Sequence, residues 1–376
     1  MFIRNLEKII SKPRVLHAPI VPLYQPYLYV KGLRELGYKA DYMAFNFDKD
    51  SWLARSCDID LQLDGTEDLH TAKSKEIDFF IYAIENYDIF HFHSGYGLLN
   101  SAFGFWDRLS EIKYLKKIGK KVFISWWGCD IRTEDIDGRY IYSACNKCED
   151  SIRKSCNSSA EKKDVIKKAY EYSNYMFSCG DLAASYKGIE WLDIAIDCDE
   201  WKPLKFEEIP TEFRLPKTDK IRIYHSFGNS QIRGDVKGTY FIKEAVNKLQ
   251  NEGVNVEFIF FDKIPNKDLK YFQAQADIVV DQLYTGFYGS TGAECLAMGN
   301  PVVTYIRPEV EAILPHKHPL INANIENIYF VLKDLLNDKE KIKEIGLESR
   351  KYTLEYHHYK NVAKELDKYY RRSLKN

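Results

Sequence analysis

A glycine-rich loop between a short strand and a helix is the part of this sequence best suited to chemistry. The apolar run at residues 278–280 predicts a buried parallel strand. The loop after it contains glycines, which let the backbone turn sharply and approach a ligand closely. The residues that we expect to contact that ligand are Gly286, Phe287, Tyr288, Gly289, Ser290 and Thr291.

The helix after this loop predicts an anion site. Ser290 or Thr291 can cap its first turn, and Gly299 followed by Pro301 ends it. The first N–H groups of a helix have no partners inside the helix, so a helix that starts at the carboxyl ends of parallel strands attracts anions. Glu294, about one turn into this helix, could accept hydrogen bonds from sugar hydroxyls. Together these features predict a site for a phosphorylated sugar.

Two cations follow the first predicted strand of the second half of the chain. Arg233 and Lys237 lie in the loop after a strand predicted at residues 221–225, on the ligand side of the sheet. Arginine supplies a planar fork of donors and lysine a compact charge, and both suit phosphate oxygens. Such a cation stabilises the charge that develops when a diphosphate leaves a sugar, and losing it costs on the order of 3 kcal/mol in the transition state. The alternative is that both side chains are solvated loop charges.

Three polar residues end predicted strands in the first half of the chain. A histidine such as His93 ordinarily titrates near neutrality, so it could act as an acid or a base or orient an acceptor. Asp130 and Arg132 could bind that acceptor, or they could form a salt bridge with each other. We expect all three to face the same cleft as Arg233 and Lys237.

Eight cysteines occur in the chain, and one group of them has the spacing of a metal site. Cys145 and Cys148 form a CxxC pair, Cys156 follows it, and Cys129 lies shortly upstream. A structural zinc ion needs four ligands, and a CxxC pair is a common half of such a set. The sequence therefore predicts either a zinc or redox site or ordinary thiols in a helical insertion.

Alternating strands and helices must position these residues. The strands predicted in the first half are at 14–18, 39–45, 88–93, 121–127, 172–179 and 189–196. Those of the second half are at 221–225, 256–261, 278–280 and 302–305. The helices predicted between them include 27–36, 106–118 and 238–250. This alternation predicts parallel strands with helices on both faces, and such sheets bind ligands outside the carboxyl ends of their strands.

A proline-rich stretch at 202–217 predicts a linker between two domains that are built alike. We predict an α/β fold with two doubly wound, Rossmann-like domains that face a cleft. The N-terminal domain covers 1–205 and the C-terminal domain covers 206–350. Residues 351–376 are expected to form a final helix that packs back on the first domain, and its basic residues could also touch anionic lipid.

Composition limits the kinds of partner. The 376 residues are too many for one ordinary core, and a formal net charge of −1 gives no reason to expect nucleic-acid binding. The longest apolar runs are only a few residues, so we expect no segment that spans a bilayer. The first residues lack the apolar core of a signal peptide. We therefore expect a cytoplasmic protein, with peripheral membrane contact as its one association with lipid.

Residues 225–249 and 276–306 resemble the C-terminal domain of family 4 glycosyltransferases, which have the two-domain GT-B fold. Lys237 resembles the lysine of that family's lysine-glycine step, and Glu294 resembles its helix glutamate. The resemblance implies that Lys237, with Arg233, holds the diphosphate of a nucleotide sugar and that Glu294 binds the ribose. It extends weakly through the first half of the chain, around residues 88–93, 127–132 and 181–192.

By this resemblance the chain is a glycosyltransferase that moves a sugar from a nucleotide-sugar donor, held by the second domain, to a glycan or lipid-linked acceptor, held by the first. The reaction is expected to be retaining, to be metal-independent and to require no cofactor. Two positions depart from the family pattern. Gly286 stands where the family has the earlier of two glutamates, and Trp126-Trp127 stands where it has a histidine. In the family both positions usually contact the donor sugar.

Three other functions stay open. The Asp-x-Asp triplets at 58–60, 135–137 and 197–199 could hold a divalent ion in a single-domain, metal-dependent glycosyltransferase. A sugar-nucleotide epimerase of the same two-domain fold would process UDP-sugar without an acceptor. A non-catalytic partner protein would keep the fold, with or without the nucleotide site, and the departures at Gly286 and Trp127 motivate this alternative.

Overall fold

The computed structural model describes residues 12–19, 24–47, 56–100, 108–156, 159–226, 234–261 and 264–375. Within these residues the chain forms two parallel β-sheets, one in each half of the sequence. Each sheet separates two hydrophobic cores, which are closed by helices. We call the first sheet with its helices the first lobe, and the second sheet with its helices the second lobe.

The first sheet has seven parallel strands in the order β3-β2-β1-β4-β5-β6-β7. Its strands are β1 (Arg14–Ala18), β2 (Lys39–Ala44), β3 (Ile59–Asp60), β4 (Ile89–His93), β5 (Lys121–Ser125), β6 (Tyr175–Ser178) and β7 (Ile189–Trp191). The central strands are buried on both sides, as is typical of parallel strands, although one face of β1 and β4 carries His17, His91 and His93. In β5, Val122 and Ile124 pack into one core and Phe123 packs into the core on the opposite face.

The helices of the first half are α1 (Gln25–Glu35), α2 (Leu69–Asn86), α3 (Ile112–Lys117), α4 (Glu134–Asp137), α5 (Asp150–Cys156), α6 (Ser159–Tyr172) and α7 (Gly180–Ser185). Local sequence explains their starts and faces. Asp68 caps α2 by accepting from the N–H of Thr71 at 3.0 Å. Phe79 and Ala83, four residues apart on one helical face, turn into the core.

The second sheet has five parallel strands in the order β12-β11-β10-β8-β9. Its strands are β8 (Ile221–Ser226), β9 (Val256–Phe261), β10 (Ile278–Val280), β11 (Val302–Thr304) and β12 (Ile321–Asn322). The helices of this half are α8 (Thr239–Asn251), α9 (Asn266–Gln273), α10 (Ser290–Ala297), α11 (Pro308–Glu311), α12 (Ile328–Leu336), α13 (Lys339–Tyr352) and α14 (Tyr359–Lys375). The strand β10 passes directly into the glycine-rich loop and α10.

The final helix, α14, packs on α1 of the first lobe. Tyr359 of α14 donates to Glu35 of α1 at 2.6 Å. The hydroxyl of Tyr370 lies 2.7 Å from Nδ1 of His91 in β4, and Tyr38, just after α1, donates to Asp367 of α14 at 2.6 Å. The helix that ends the chain therefore belongs to the first lobe.

The α/β fold with two doubly wound sheets is confirmed, and the element bounds differ in a few places. Within the described residues the helix predicted at 106–118 begins at Ile112. The strand predicted at 121–127 ends at Ser125, because Asp130 accepts from the N–H groups of Trp127 and Gly128 and turns the chain. The edge strands β3 and β12 have only two residues each, which is too short to leave a pattern in the sequence. The domain boundaries at 205 and 350 stay a prediction.

Within the described ranges, no helix is both long enough and apolar enough to cross a membrane.

Candidate functional site

A cavity of about 610 Å³ lies between the two lobes, at the carboxyl ends of strands from both sheets. Residues that follow strands of the first lobe line one wall, among them Ser94, Trp126, Trp127 and Cys179. The opposite wall comes from the second lobe. It contains Lys237 and the residues from the glycine-rich loop into α10: Phe287, Tyr288, Gly289, Ser290 and Thr291.

The start of α10 differs from the prediction in how it is capped. The N-cap residue is Gly289, and neither Ser290 nor Thr291 caps this turn with its side chain. Ser290 Oγ is buried beside the cavity and has no hydrogen-bond partner among the described residues. The N-terminal end of α10, where the first amides lack partners inside the helix and the helix dipole is positive, therefore faces the cavity.

Lys237 lies on the same wall and is held by an aspartate that was not among the predicted site residues. Its Nζ is 3.2 Å from Oδ1 of Asp281, which is buried. The other oxygen of Asp281 accepts from the N–H of Gly289 at 2.7 Å. One carboxylate thus fixes both the lysine and the start of α10. An acidic residue directly after the apolar run of β10 is the signal that could have found it.

The predicted partner of Lys237, Arg233, lies outside the described residues. Two residues further on, Asp235 caps α8 by accepting from the N–H groups of Thr239 at 2.6 Å and Tyr240 at 3.0 Å. In the second lobe the first residues of α10, Ser290 and Thr291, line the cavity, whereas the first residues of α8 do not.

Glu294 lies on the same face of α10 as Ser290, one turn further into the helix, and is not among the residues that line the cavity. Its carboxylate is buried. Oε1 accepts from the hydroxyl of Tyr24 and from Nδ2 of Asn266, the latter at 3.3 Å. Tyr24 belongs to the first lobe, so this contact joins the two lobes. Local sequence gives no sign of this contact, because Tyr24 and Glu294 are 270 residues apart.

Asp130 and Arg132 both line the cavity, but the salt bridge between them that the sequence left open is not formed. Arg132 is instead bound by Asp181, with its Nε and Nη2 each 2.8 Å from a carboxylate oxygen. Asp130 accepts from the backbone N–H groups of Trp127, Gly128 and Ile131 at 2.9, 2.8 and 3.1 Å. Asp130 therefore shapes the turn after β5, and Asp181 is the partner of Arg132.

His93 does not reach the cavity, contrary to the prediction. It is fully buried, stacks on Trp127 at 5.9 Å between ring centres, and places Nε2 2.9 Å from Nδ1 of His17. Burial lowers the pKa of His17 to about 3 and the pKa values of His91 and His93 well below their usual range. The three rings are therefore neutral at physiological pH. This environment argues against the acid or base role predicted for His93.

Gly286 lies beside the cavity wall and is crowded by Arg307. Its φ is +88°, and a Cβ at this position would lie 2.9 Å from Nε of Arg307. The buried guanidinium of Arg307 pairs with Asp137 at 2.9 Å and lies 3.6 Å from the ring centre of Tyr140. Asp137 and Tyr140 belong to the first lobe. The space next to the missing family glutamate is thus taken by an arginine that ties the lobes together.

Burial of Asp137 would raise its pKa, but nearby positive charge and a hydroxyl outweigh this. The guanidinium groups of Arg132 and Arg307 and the hydroxyl of Ser143 together hold the pKa of Asp137 below its usual range. The carboxylate is therefore charged at neutral pH, and the contact with Arg307 is a buried ion pair.

The four predicted zinc ligands, Cys129, Cys145, Cys148 and Cys156, all line the first-lobe wall of the cavity. The described residues nevertheless contain no group of three or more His, Cys, Asp and Glu side chains placed to hold a metal ion. The Sγ of Cys156 instead accepts from Nζ of Lys162 at 2.9 Å. The thiols lie in a helical insertion between β5 and β6, and the zinc prediction gains no support from their geometry.

The Asp-x-Asp triplets contribute no residue to the cavity wall. Asp197 pairs with Lys31 at 2.6 Å, and Asp135 pairs with Lys163 at 2.9 Å. Two parallel sheets in separate lobes also exclude the single-domain, metal-dependent alternative.

Comparison with known proteins shows the fold. No protein-family model and no curated protein matches the sequence. A sucrose-phosphate synthase from Thermosynechococcus elongatus has a similar structure, with a TM-score of 0.64 and 13% identity over 96% of this chain and 99% of that one. The catalytic domain of starch synthase IV from Arabidopsis thaliana, bound to ADP and acarbose, has a TM-score of 0.59 and 12% identity over 97% of this chain and all of that one (100%).

Anabaena HepE in complex with UDP and glucose is a third similar structure, with a TM-score of 0.56 and 9% identity over 95% of this chain and 99% of that one. These likenesses extend over both lobes. The chain therefore has the GT-B fold, as the resemblance of its motifs implied.

Proposed function

We propose that the protein is a glycosyltransferase that takes its sugar from a nucleotide sugar. The observation that carries this proposal is that Lys237 and the start of α10 meet on one wall of a cavity between the two lobes of a GT-B fold. Similar structures bound to ADP and to UDP support a nucleotide as the ligand of the second lobe.

The positive groups of the second lobe suit the diphosphate of the donor. When the bond between sugar and diphosphate breaks, negative charge develops on the leaving oxygen. A fixed ammonium and a helix N-terminus stabilise that charge. Asp281 holds Lys237 in place before any substrate binds, which reduces the reorganisation that the reaction requires. Because the chain itself supplies this positive charge, we propose catalysis without a metal ion.

Glu294 is the proposed ligand of the nucleotide ribose. It lies one turn from Ser290 on the same face of α10, so a nucleotide with its diphosphate at the helix start extends its ribose toward this carboxylate. A carboxylate accepts hydrogen bonds only, and the vicinal hydroxyls of a ribose supply donors.

The first lobe is the proposed acceptor side. Trp127 lines this wall and is partly exposed, and an indole ring offers a large flat surface that suits the C–H faces of sugars. We propose a glycan or lipid-linked acceptor and, from the family resemblance, a retaining reaction. A cytoplasmic location, with the basic face of α14 in contact with a membrane surface, belongs to the same proposal.

Calorimetric titration with UDP and with ADP, followed by turnover of the matching nucleotide sugars, tests the function. We expect one nucleotide to bind, Glu294→Gln to weaken that binding, and the sugar to appear on an added acceptor. A sugar that is altered without any acceptor would identify an epimerase. Tight nucleotide binding without turnover of any common nucleotide sugar would favour the non-catalytic partner. Absence of nucleotide binding would end the proposal.

A further inference from the structure

One tyrosine of the first lobe reaches the carboxylate that we assign to the ribose. Tyr24 is buried, with 2% of its surface exposed, and its hydroxyl donates to Oε1 of Glu294 across the boundary between the lobes. Glu294 is equally buried at 2%. Burying a carboxylate lowers stability unless hydrogen-bond donors surround it, so donors such as the hydroxyl of Tyr24 influence how its oxygens are oriented.

The backbone that follows Tyr24 is held against the first lobe by Gln25. Tyr24 is the N-cap residue of α1 and has a left-handed backbone conformation with a φ of 51°. The next residue, Gln25, is fully buried and clamps the backbone of Ala195 with both ends of its amide. Its Nε2 donates to the carbonyl of Ala195 at 2.9 Å, and its Oε1 accepts from the N–H of Ala195 at 2.8 Å. The hydroxyl of Tyr24 is therefore held in place by the first lobe.

The second lobe adds one donor of its own to the same carboxylate oxygen. Asn266, the first residue of α9, donates through Nδ2 to Oε1 of Glu294 at 3.3 Å. An ionised carboxylate has about four acceptor positions, so one carboxylate can bind protein donors and a ligand hydroxyl together. Tyr24 and Asn266 converge on one oxygen of this carboxylate, one from each lobe.

We propose that Tyr24 is a positioning residue for ribose recognition, so that the nucleotide site is completed by the first lobe. The hydroxyl of Tyr24 does not touch the nucleotide. It holds Glu294 in the rotamer that meets the ribose hydroxyls, and it does so only when the two lobes are closed. This inference rests on the proposed function, because it needs Glu294 to bind ribose.

The test compares UDP with 2′,3′-dideoxy-UDP, which lacks the hydroxyls that Glu294 would bind; ADP and its dideoxy analogue replace them if the protein prefers adenine. The wild-type protein should bind the ribose form more tightly. Tyr24→Phe keeps the ring and removes the hydroxyl. We expect it to weaken binding of the ribose form by about tenfold, the effect of one hydrogen bond to a charged group, and to leave binding of the dideoxy form nearly unchanged.

Tyr87→Phe is the matched control, because Tyr87 is a buried first-lobe tyrosine whose hydroxyl donates to the carboxylate of Asp41 at 2.8 Å, away from the cavity. Tyr87→Phe should leave the binding of both nucleotides unchanged. If Tyr24→Phe weakens both nucleotides equally, or neither, the inference is wrong and Tyr24 only supports packing. If the wild-type protein binds both forms equally well, the ribose role of Glu294 fails, and the inference fails with it. If neither nucleotide binds, the proposed function itself is wrong.

Discussion

The two walls of the cavity are built in different ways. The second-lobe wall comes mostly from one continuous unit, β10 with its loop and α10, to which Lys237 is tied by Asp281. The first-lobe wall is assembled from residues that lie far apart in the sequence, such as Ser94, Trp127 and Cys156. A strand–loop–helix unit is specified by neighbouring residues, whereas the other wall exists only when the whole lobe has folded.

The walls also differ in what they offer a ligand. Lys237 gives Asp281 a single contact at 3.2 Å, so its ammonium has further donors to offer an anion beside the start of α10. In the first lobe, Arg132 is neutralised by Asp181, and Asp130 is occupied by backbone amides. The first-lobe wall therefore contributes shape and aromatic surface more than charge. This difference between the walls suits the proposed function, in which the donor is charged and the acceptor is recognised by its shape.

The largest effect is expected where the two walls are joined by a buried ion pair. Arg307→Ala removes the ion-pair partner that Asp137 has in the second lobe, and breaking a buried pair typically costs about 3–5 kcal/mol of stability. Denaturant unfolding should show this loss as a lower midpoint. Lys343→Ala is the control, because Lys343 pairs with Glu340 on the exposed surface and such pairs contribute little. Equal midpoints for the two variants would show that the inter-lobe pair does not hold the walls together.

A loss of similar size is expected in catalysis when the charged wall is neutralised. Lys237→Ala should lower turnover by about 100-fold or more, which corresponds to about 3 kcal/mol of transition-state stabilisation. Steady-state kinetics with the nucleotide sugar that binds measures this. Lys248→Ala, on the exposed side of the following helix α8, should keep wild-type turnover. Near-normal turnover of Lys237→Ala would show that Lys237 does not stabilise the leaving diphosphate.

The contrast between the walls explains how much the sequence could predict. The second-lobe unit was predicted because its strand, glycines, helix and Glu294 follow one another within residues 278–297. Their spacing alone sets which residues face the carboxyl edge of the sheet. Even here the cap was assigned to Ser290 or Thr291, because nothing local shows that Asp281 holds the N–H of Gly289.

The contacts that cross between the lobes could not be predicted in the same way. Arg307 and Asp137 are 170 residues apart, and Tyr24 and Glu294 are 270 residues apart. Such pairs leave no periodic pattern. His93, in contrast, was predicted to face the cavity and does not. Its position at the end of β4 is correct, but its ring is buried against His17 and Trp127. This burial depends on how the whole lobe packs.

The buried histidines of the first lobe should make stability depend on pH. Burial lowers the pKa of His17 to about 3 and the pKa values of His91 and His93 well below their usual range, whereas an unfolded histidine titrates near about 6.5. Below about pH 6.5 the unfolded chain binds protons that the folded chain excludes. Stability is therefore full above this pH and falls as the pH decreases, by about 1.4 kcal/mol per pH unit for each histidine.

Urea unfolding at a series of pH values between about 7.5 and 5 measures this dependence. His17→Gln should give a shallower slope, since one buried ring no longer excludes protons. His70→Gln, a change on the exposed surface of α2, should keep the wild-type slope. If His17→Gln has the same slope as the wild type, the histidine cluster of the first lobe does not control the pH response.

The smallest effect separates backbone strain from crowding at the position where the family pattern is broken. Gly286 and Gly37 have nearly the same φ, +88° and +84°, but a Cβ at Gly286 meets Arg307 at 2.9 Å, whereas a Cβ at Gly37 has no atom within 4 Å. Gly37→Ala should therefore lower the free energy of unfolding only by the cost of the left-handed conformation, about 1–2 kcal/mol. Gly286→Ala should cost about 1 kcal/mol more than that, because Arg307 must move and its pair with Asp137 is strained. The difference between the two unfolding free energies is the measurement. Equal losses would mean that Arg307 yields easily and that a side chain at position 286, including the glutamate of the family pattern, could be restored without separating the lobes.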